Sequence, residues 1–229
     1  MLSFRQSPLD GAQNTLGLIA IGLAQTFNDQ HHLGQDLNGV LGEDFFEVPE
    51  PKIISISGNS STSTISASIS NVGDLNASDF RFEYDGSQYT LTRLSDNSSV
   101  SSLTVPSVTS PLTLSGMSIT SATIQPNESF VIQPVRNGAQ NIAIAINDPS
   151  KIAAASPIRT QADSTNTGSG TISAGAVNPL PIDPDLSQPI TIQFHVPSDG
   201  MFDVTGTGTG LPAMNQTYTE GADISFNGW

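Results

Sequence analysis

Between residues 7 and 33 the apolar positions recur at helical spacing. Leu9, Ala12, Leu16, Ile19 and Leu23 follow one another by three and four, Phe27 extends the row, and Leu18 and Ile21 lie beside it. The spacing predicts an amphipathic helix over 7–33. Ser7 stands as its N-cap, Pro8 as its first helical residue, Asp10 as the acid three residues after the cap, and Gly34 as its stop. Two readings of the stripe stand at this point. It is an ordinary core face lying on a sheet, or it is a bundle or coiled-coil seam whose partners lie elsewhere.

From about residue 48 the period drops to two. Ile65, Ala67 and Ile69 alternate with Ser; Phe80, Phe82 and Tyr84 alternate with Arg81 and Glu83. Asp85-Gly86 then turns the chain into Tyr89 and Leu91, which predicts a β-hairpin. Further strands are expected over 112–119, 129–135 and 141–146, followed by a short helix capped at Asn147-Asp148-Pro149 with 151–155 in its body. Residues 160–189 read as a linker, Ser/Thr/Gly-rich and then stiffened by Pro179, Pro181, Pro184 and Pro189. A second β-region follows. Ile190, Ile192, Phe194 and Val196 alternate with polar residues, Phe202 and Val204 form the next strand, and Ile224 and Phe226 the last. A weak internal repeat relates the two β-regions. On that basis the second is expected to be cut before its closing strand, at Trp229.

The expected fold is mainly β with one long N-terminal α-helix, α+β overall, with two tandem antiparallel β-domains behind a helical segment. The parts are a helical segment over 1–48, a first β-domain over 49–147, a short helix plus linker over 148–189, and a second, truncated β-domain over 190–229.

Composition narrows the function classes. The net charge is −14 and the seven Lys and Arg are scattered singly. Nucleic-acid binding needs clustered cations that displace counterions from phosphates, so it is not expected, and anionic membrane surfaces are disfavoured for the same reason. The absence of Cys removes disulfides, thiolate metal sites and Cys nucleophiles. No window reaches the length of an apolar membrane span, and residues 1–7 do not form a signal peptide.

Candidate chemistry is thin. His31 and His32 are adjacent at a helix end and diverge, so a shared metal is not expected, and His195 falls on the polar side of a strand as a surface residue. Asp36-Leu37-Asn38-Gly39 begins like a calcium loop but carries Val40 and Leu41 where further ligands and the turn Gly belong; a tight Asn-Gly turn is expected instead. Gly206, Gly208 and Gly210 precede Leu211-Pro212 and no helix, so they do not form a phosphate loop. No catalytic residue, cofactor site or metal site is assigned.

Several long motifs carry a resemblance. Asn14-Thr15-Leu16-Gly17, Phe27-Asn28-Asp29-Gln30-His31, Gly34-Gln35-Asp36-Leu37-Asn38-Gly39 and Asp44-Phe45-Phe46 resemble the segment leading out of the N-terminal helices in the flagellar hook-associated protein 1 family, found at the bacterial hook–filament junction. Ser78-Asp79-Phe80, Tyr84-Asp85-Gly86 and Tyr89-Thr90-Leu91-Thr92-Arg93 are similar to that family's β-domain hairpin. Phe130 to Arg136, Asn137-Gly138-Ala139 and Asn147-Asp148-Pro149 through Ala155 resemble the exit from that domain. The similarity touches most of 1–165 and is weaker over 190–229.

The resemblance implies a non-catalytic, extracellular structural subunit, exported unfolded through the flagellar type III channel without a cleaved signal. Its partners would be other copies of itself and neighbouring hook, junction and filament subunits, with an export chaperone for the full-length protein. It also implies that Leu9, Ala12, Leu16, Ile19, Leu23 and Phe27 form a helix-packing face for assembly, and that this fragment alone is monomeric. Two other classes remain as alternatives: an adhesin-like or carbohydrate-binding β-module, and a hydrolase using paired carboxylates.

Overall fold

A computed structural model describes residues 2–178 and 180–229, with the side chains of the first helix described from Leu9 onward. The side chains of Ser7 and Pro8, and Pro179 of the linker, therefore lie outside the described residues. One long helix precedes several antiparallel sheets, so the chain is mainly β and α+β overall.

Helix α1 spans Leu2–His32. It begins five residues before the expected Ser7 cap, which therefore lies inside the helix. It closes with Leu33 and Gly34 amides bonded to the Gln30 and His31 carbonyls at 3.2 and 3.1 Å.

The chain divides into two compact units, the first made of Met1–Asn28 and Phe45–Ala145. Its strands are β1 (Phe46–Glu47), β2 (Lys52–Ser55), β3 (Thr64–Ile69), β4 (Phe80–Tyr84), β5 (Tyr89–Arg93), β6 (Ser99–Ser102), β7 (Leu112–Leu114), β8 (Met117–Thr123), β9 (Glu128–Gln133) and, after the helical turn α2 (Gly138–Asn141), β10 (Ala143–Ile144). A five-stranded sheet in the order β2-β9-β4-β5-β6 and a three-stranded sheet β3-β8-β7 share one core. Phe80, Phe82, Tyr89, Leu91, Phe130 and Ile132 fill it from the first sheet, and Leu112, Met117 and Ile119 from the second. The alternation that predicted strands is thus the alternation of a sandwich, one residue in and the next out. The β4–β5 hairpin forms as expected, with the Asp85 carboxylate accepting the Ser87 and Gln88 amides at 2.7 and 2.8 Å.

Two strand expectations in this unit need correction. Residues 112–119 form a hairpin, β7–β8, because Ser115 and Gly116 both take left-handed backbone angles (φ 50° and 74°) and turn the chain between them. Residues 141–146 yield only the two-residue β10, paired with β1. The alternating isoleucines there have no second sheet face to enter, and Ile144 is exposed.

Glu128 is a polar device inside this sandwich. Its carboxylate accepts the Gln125 amide at 2.9 Å and also the Ser60 amide and the Ser63 hydroxyl. Those donors, led by Ser63, hold its carboxyl below the ordinary glutamate range. A depressed folded value stabilises above the unfolded pKa near 4.5 and is lost as pH falls through the folded one. Glu128→Gln is therefore expected to lower the melting temperature at pH 7 and to narrow its gap to wild type at acidic pH. An unchanged gap between pH 7 and pH 3 would count against this.

The second unit comprises Asp29–Asp44 and Ile146–Trp229. The Gln35 amide donates to Ala155 and the Ala155 amide returns the bond, at 2.8 and 3.1 Å. The expected short helix with 151–155 in its body is a single 3-10 turn, Pro149–Lys151. Asp148 caps it by accepting the Ser150 amide at 2.9 Å, and the chain is extended again by Ile152. A three-stranded sheet is built from β11 (Ile190–Phe194), β12 (Met201–Gly206) and β13 (Ala213–Thr217), in that order. The expected strand at Ile224 and Phe226 does not form. The third strand is β13 instead, whose Ala-Met-Asn-Gln-Thr sequence has no clean alternation; a register shift on β12 between Phe202 and Val204 accommodates it.

Candidate assembly face

Helix α1 carries two stripes with the same three-four spacing. Leu9, Ala12, Leu16, Ile19 and Leu23 form the apolar one. Asn14, Gly17, Ile21, Ala24 and Asn28, offset from it, form the other and are buried. The helix therefore holds its own β-domain through the more polar stripe and leaves the apolar one open.

The buried stripe works through close backbone approach and specific hydrogen bonds. A Cβ at Gly17 would sit 1.6 Å from the Val135 carbonyl oxygen, so the absence of a side chain is what lets the helix touch that strand exit. Ile21 packs with Leu75 and Val135. Asn28, 1% exposed, accepts the Phe45 and Phe46 amides at 2.9 Å each and donates to the Phe46 carbonyl at 2.8 Å. At the other end Arg136 bridges Asp10 at 2.9 Å and Asp79 at 2.6 Å, while Asn14 and Gln133 both donate to Asp79. This network fixes the helix on the sandwich in register and rotation.

The open stripe is what remains. Leu9, Leu16, Ile19 and Leu23 are 59, 60, 61 and 61% exposed, against 0% for Leu91 and 5% for Leu75 and Leu112 in the core. Ala12 is exposed with them. Phe27 behaves differently: its ring packs against Phe45 at 4.8 Å and Phe46 at 5.4 Å, and those two rings against each other at 4.9 Å, which ends the stripe in an aromatic cluster.

Sequence reasoning found the open stripe but missed the Asn28 and Gly17 contacts. The only signal for them was a second three-four row written in small and polar residues.

The other candidates fall into place around this. His31 is buried, receiving the Ala153 amide at Nε2 (2.8 Å) and facing the Glu43 carbonyl with Nδ1 (2.6 Å), while His32 points to Asp44. The two rings thus take separate partners. Asp36 accepts the Asn38 and Val40 amides at 2.8 Å, closing a tight turn, and these bonds hold its carboxyl below the ordinary range. His195 is not a free surface residue; it lies between Asp199 and Asp203. Among the described residues no group of three His, Cys, Asp or Glu could hold a metal, and no helix is long and apolar enough to cross a membrane. An open cleft of about 460 Å³, lined by Ser70, Asn71, Asp74, Thr113, Leu114, Ser115 and Gly116, contains one carboxylate and not the pair that glycoside hydrolysis uses. The aromatic side chains more than a third exposed among the described residues are Phe27 and Phe194, each packed against neighbouring rings. They form no flat platform of the kind a sugar stacks on.

The fold and the face define a helix-anchored β-sandwich protein. The helical domain of flagellar hook-associated protein FlgK matches residues 1–46, and the D2-like domain of flagellar hook-associated protein 1 matches residues 54–134. The flagellar hook-associated protein 1 of Escherichia coli is 34% identical over 157 residues, 68% of this chain and 28% of that protein. That of Salmonella typhimurium is 32% identical over 165 residues, 71% of this chain and 30% of that protein. The solved structure of the flagellar hook junction protein FlgK from Burkholderia pseudomallei aligns with 99% of this chain and 46% of its own, at 27% identity and a TM-score of 0.73. The chain belongs to the flagellar hook-associated protein 1 family. It spans less than a third of the length of the two curated relatives.

Proposed function

We propose that this chain is the helix-anchored portion of a non-catalytic structural subunit that joins hook to filament in the bacterial flagellum, outside the cell. The stripe of Leu9, Ala12, Leu16, Ile19 and Leu23, with Phe27 at its end, is its helix-packing face toward other copies and neighbouring hook, junction and filament subunits. The segments 1–48, 49–147, 148–189 and 190–229 are its organisational parts. The full-length protein leaves the cell unfolded by the flagellar type III route, without a cleaved signal and with an export chaperone. A chain without Cys suits that route, since folding outside then needs no oxidation.

The observation that carries this reading is a regular apolar helical row whose four large side chains are about 60% exposed. Covering the rest of a Leu or Ile is worth roughly 1–2 kcal/mol, so the four large side chains supply on the order of 4–8 kcal/mol. Free association costs about 4–15 kcal/mol in lost motion. A matching stripe on a second copy doubles that gain to roughly 8–16 kcal/mol, which the association cost largely offsets, so the stripe alone gives marginal association and gains its hold inside a multivalent assembly.

The test is Leu16→Asp in the full-length protein, with Leu103→Asp as an exposed apolar control off the stripe (Leu103 is 80% exposed). Leu16→Asp is expected to be secreted normally but to leave cells without attached filaments and non-motile in soft agar, while Leu103→Asp swims. Normal filament attachment in Leu16→Asp would overturn the assignment. The 229-residue chain should be monomeric by light scattering, and a closed oligomer would contradict the energetic argument.

A further inference from the structure

The second unit contains a side-chain arrangement that the assembly reading does not use. The His195 ring lies between two carboxylates: Nδ1 is 2.8 Å from Asp199 Oδ2, in the β11–β12 turn, and Nε2 is 3.1 Å from Asp203 Oδ1, on β12. A neutral imidazole carries one N–H. It can donate to one carboxylate, and its other nitrogen then turns a lone pair toward an anion. Both contacts are hydrogen bonds only when the ring is an imidazolium.

Each carboxylate also does a second job. Asp199 Oδ1 accepts the Met201 amide at 2.9 Å, and Asp203 Oδ1 accepts the Asn215 amide at 2.7 Å. The ring thus ties together the turn, the central strand and, through Asp203, the edge strand β13. The charged groups bearing on it are Asp199 from the turn and Asp203 from β12; β13 contributes the Asn215 amide, and β11 leads directly into His195 itself.

We propose that His195, Asp199 and Asp203 form a protonation-controlled clasp that locks the three-stranded sheet of the second unit when the ring is charged and releases its β13 edge when the ring is neutral. Two hydrogen-bonded carboxylates, Asp199 first, raise the imidazole above its ordinary value, and both carboxyls are held below theirs. A raised folded value means the stabilisation is fully present below the unfolded pKa near 6.5 and is lost as pH rises through the folded one. The clasp is therefore closed below pH 6.5 and opens as pH rises through the raised value of the folded ring. Apart from the clasp, that edge is held by pairing with β12 alone and by Tyr218 just beyond it, whose ring packs on Phe194 and Phe202 at 5.0 and 6.3 Å, while Met214 is exposed.

The test is an NMR titration of the 229-residue chain between pH 5 and pH 10, following the His195 ring carbon-bound proton and the Met201 and Asn215 amides. The ring is expected to titrate above 6.5 and both amides to shift with the same midpoint. Their exchange protection should fall about tenfold for each unit by which that midpoint exceeds 6.5. Asp199→Asn and Asp203→Asn keep the side-chain shape and should each move the midpoint down. In His195→Gln the alkaline loss of protection should vanish while the rest of the sheet stays folded. A ring midpoint at or below 6.5, amides that do not follow the ring, or the same pH-dependent protection in His195→Gln would each overturn the proposal.

Discussion

Gly17→Ala is expected to destabilise the protein by about 3 kcal/mol or more, although alanine is the better helix former. The new Cβ would lie 1.6 Å from the Val135 oxygen, 2.7 Å from its carbonyl carbon and 3.2 Å from the Gly138 amide nitrogen. All three are backbone atoms, so no side chain can swing aside. The helix must lift away, and it takes Ile21 off Leu75 and Val135 as it goes. Gly22, one turn and a little further on, supplies the control. A Cβ there meets nothing within 4 Å, so Gly22→Ala is expected to stabilise by up to ~1 kcal/mol from helix propensity alone. Urea unfolding of the two variants should move the midpoint in opposite directions. A Gly17→Ala midpoint equal to wild type would show that the helix does not depend on this contact.

Asn28→Ala is the second large effect, on the order of 3–5 kcal/mol. Asn28 is 1% exposed and satisfies two amides and one carbonyl of Phe45 and Phe46. Truncation leaves those three groups facing a small void in place of a partner, and each unsatisfied group costs about 1–3 kcal/mol. The same loss frees the Phe45 and Phe46 rings from the geometry in which they pack on Phe27. Thermal unfolding should show a large fall in melting temperature, and the aromatic near-ultraviolet circular dichroism should weaken with it. A melting temperature within a degree or two of wild type would place the anchoring elsewhere.

Both predictions concern the stripe that hydrophobic periodicity does not register. Leu9, Leu16, Ile19 and Leu23 announced a face at once, because a three-four recurrence of large apolar residues has few other causes. What that recurrence lacked was a direction. A helix can turn its oily side to its own sheet or away from it, and the row reads the same in both cases. Gly17 and Asn28 decided the matter: where a helix must meet exposed carbonyls and amides at a strand exit, the fitting residues are the one without a side chain and the one that both donates and accepts. Such contacts depend on which residues 18 or 118 positions away arrive opposite the helix.

The strands divide in the same way. By itself the sequence determined the helix, the Asp85-Gly86 hairpin, and the alternation of Phe80, Phe82, Leu91, Phe130 and Ile132, because burial on one face of a pleated strand imposes a period of two. It also carried the family likeness. Only the tertiary structure decided that 112–119 folds back on itself, that Ala213–Thr217 is the third strand where Ile224 and Phe226 are not, and that His195 is held between two aspartates. Each of these is settled by a partner distant in the chain or by a backbone sign at a turn, and hydrophobic periodicity encodes neither. The open apolar row on α1 belongs to both accounts: its existence was written in the spacing, and its exposure was settled by the polar row beside it, which took the protein's own β-domain as its partner.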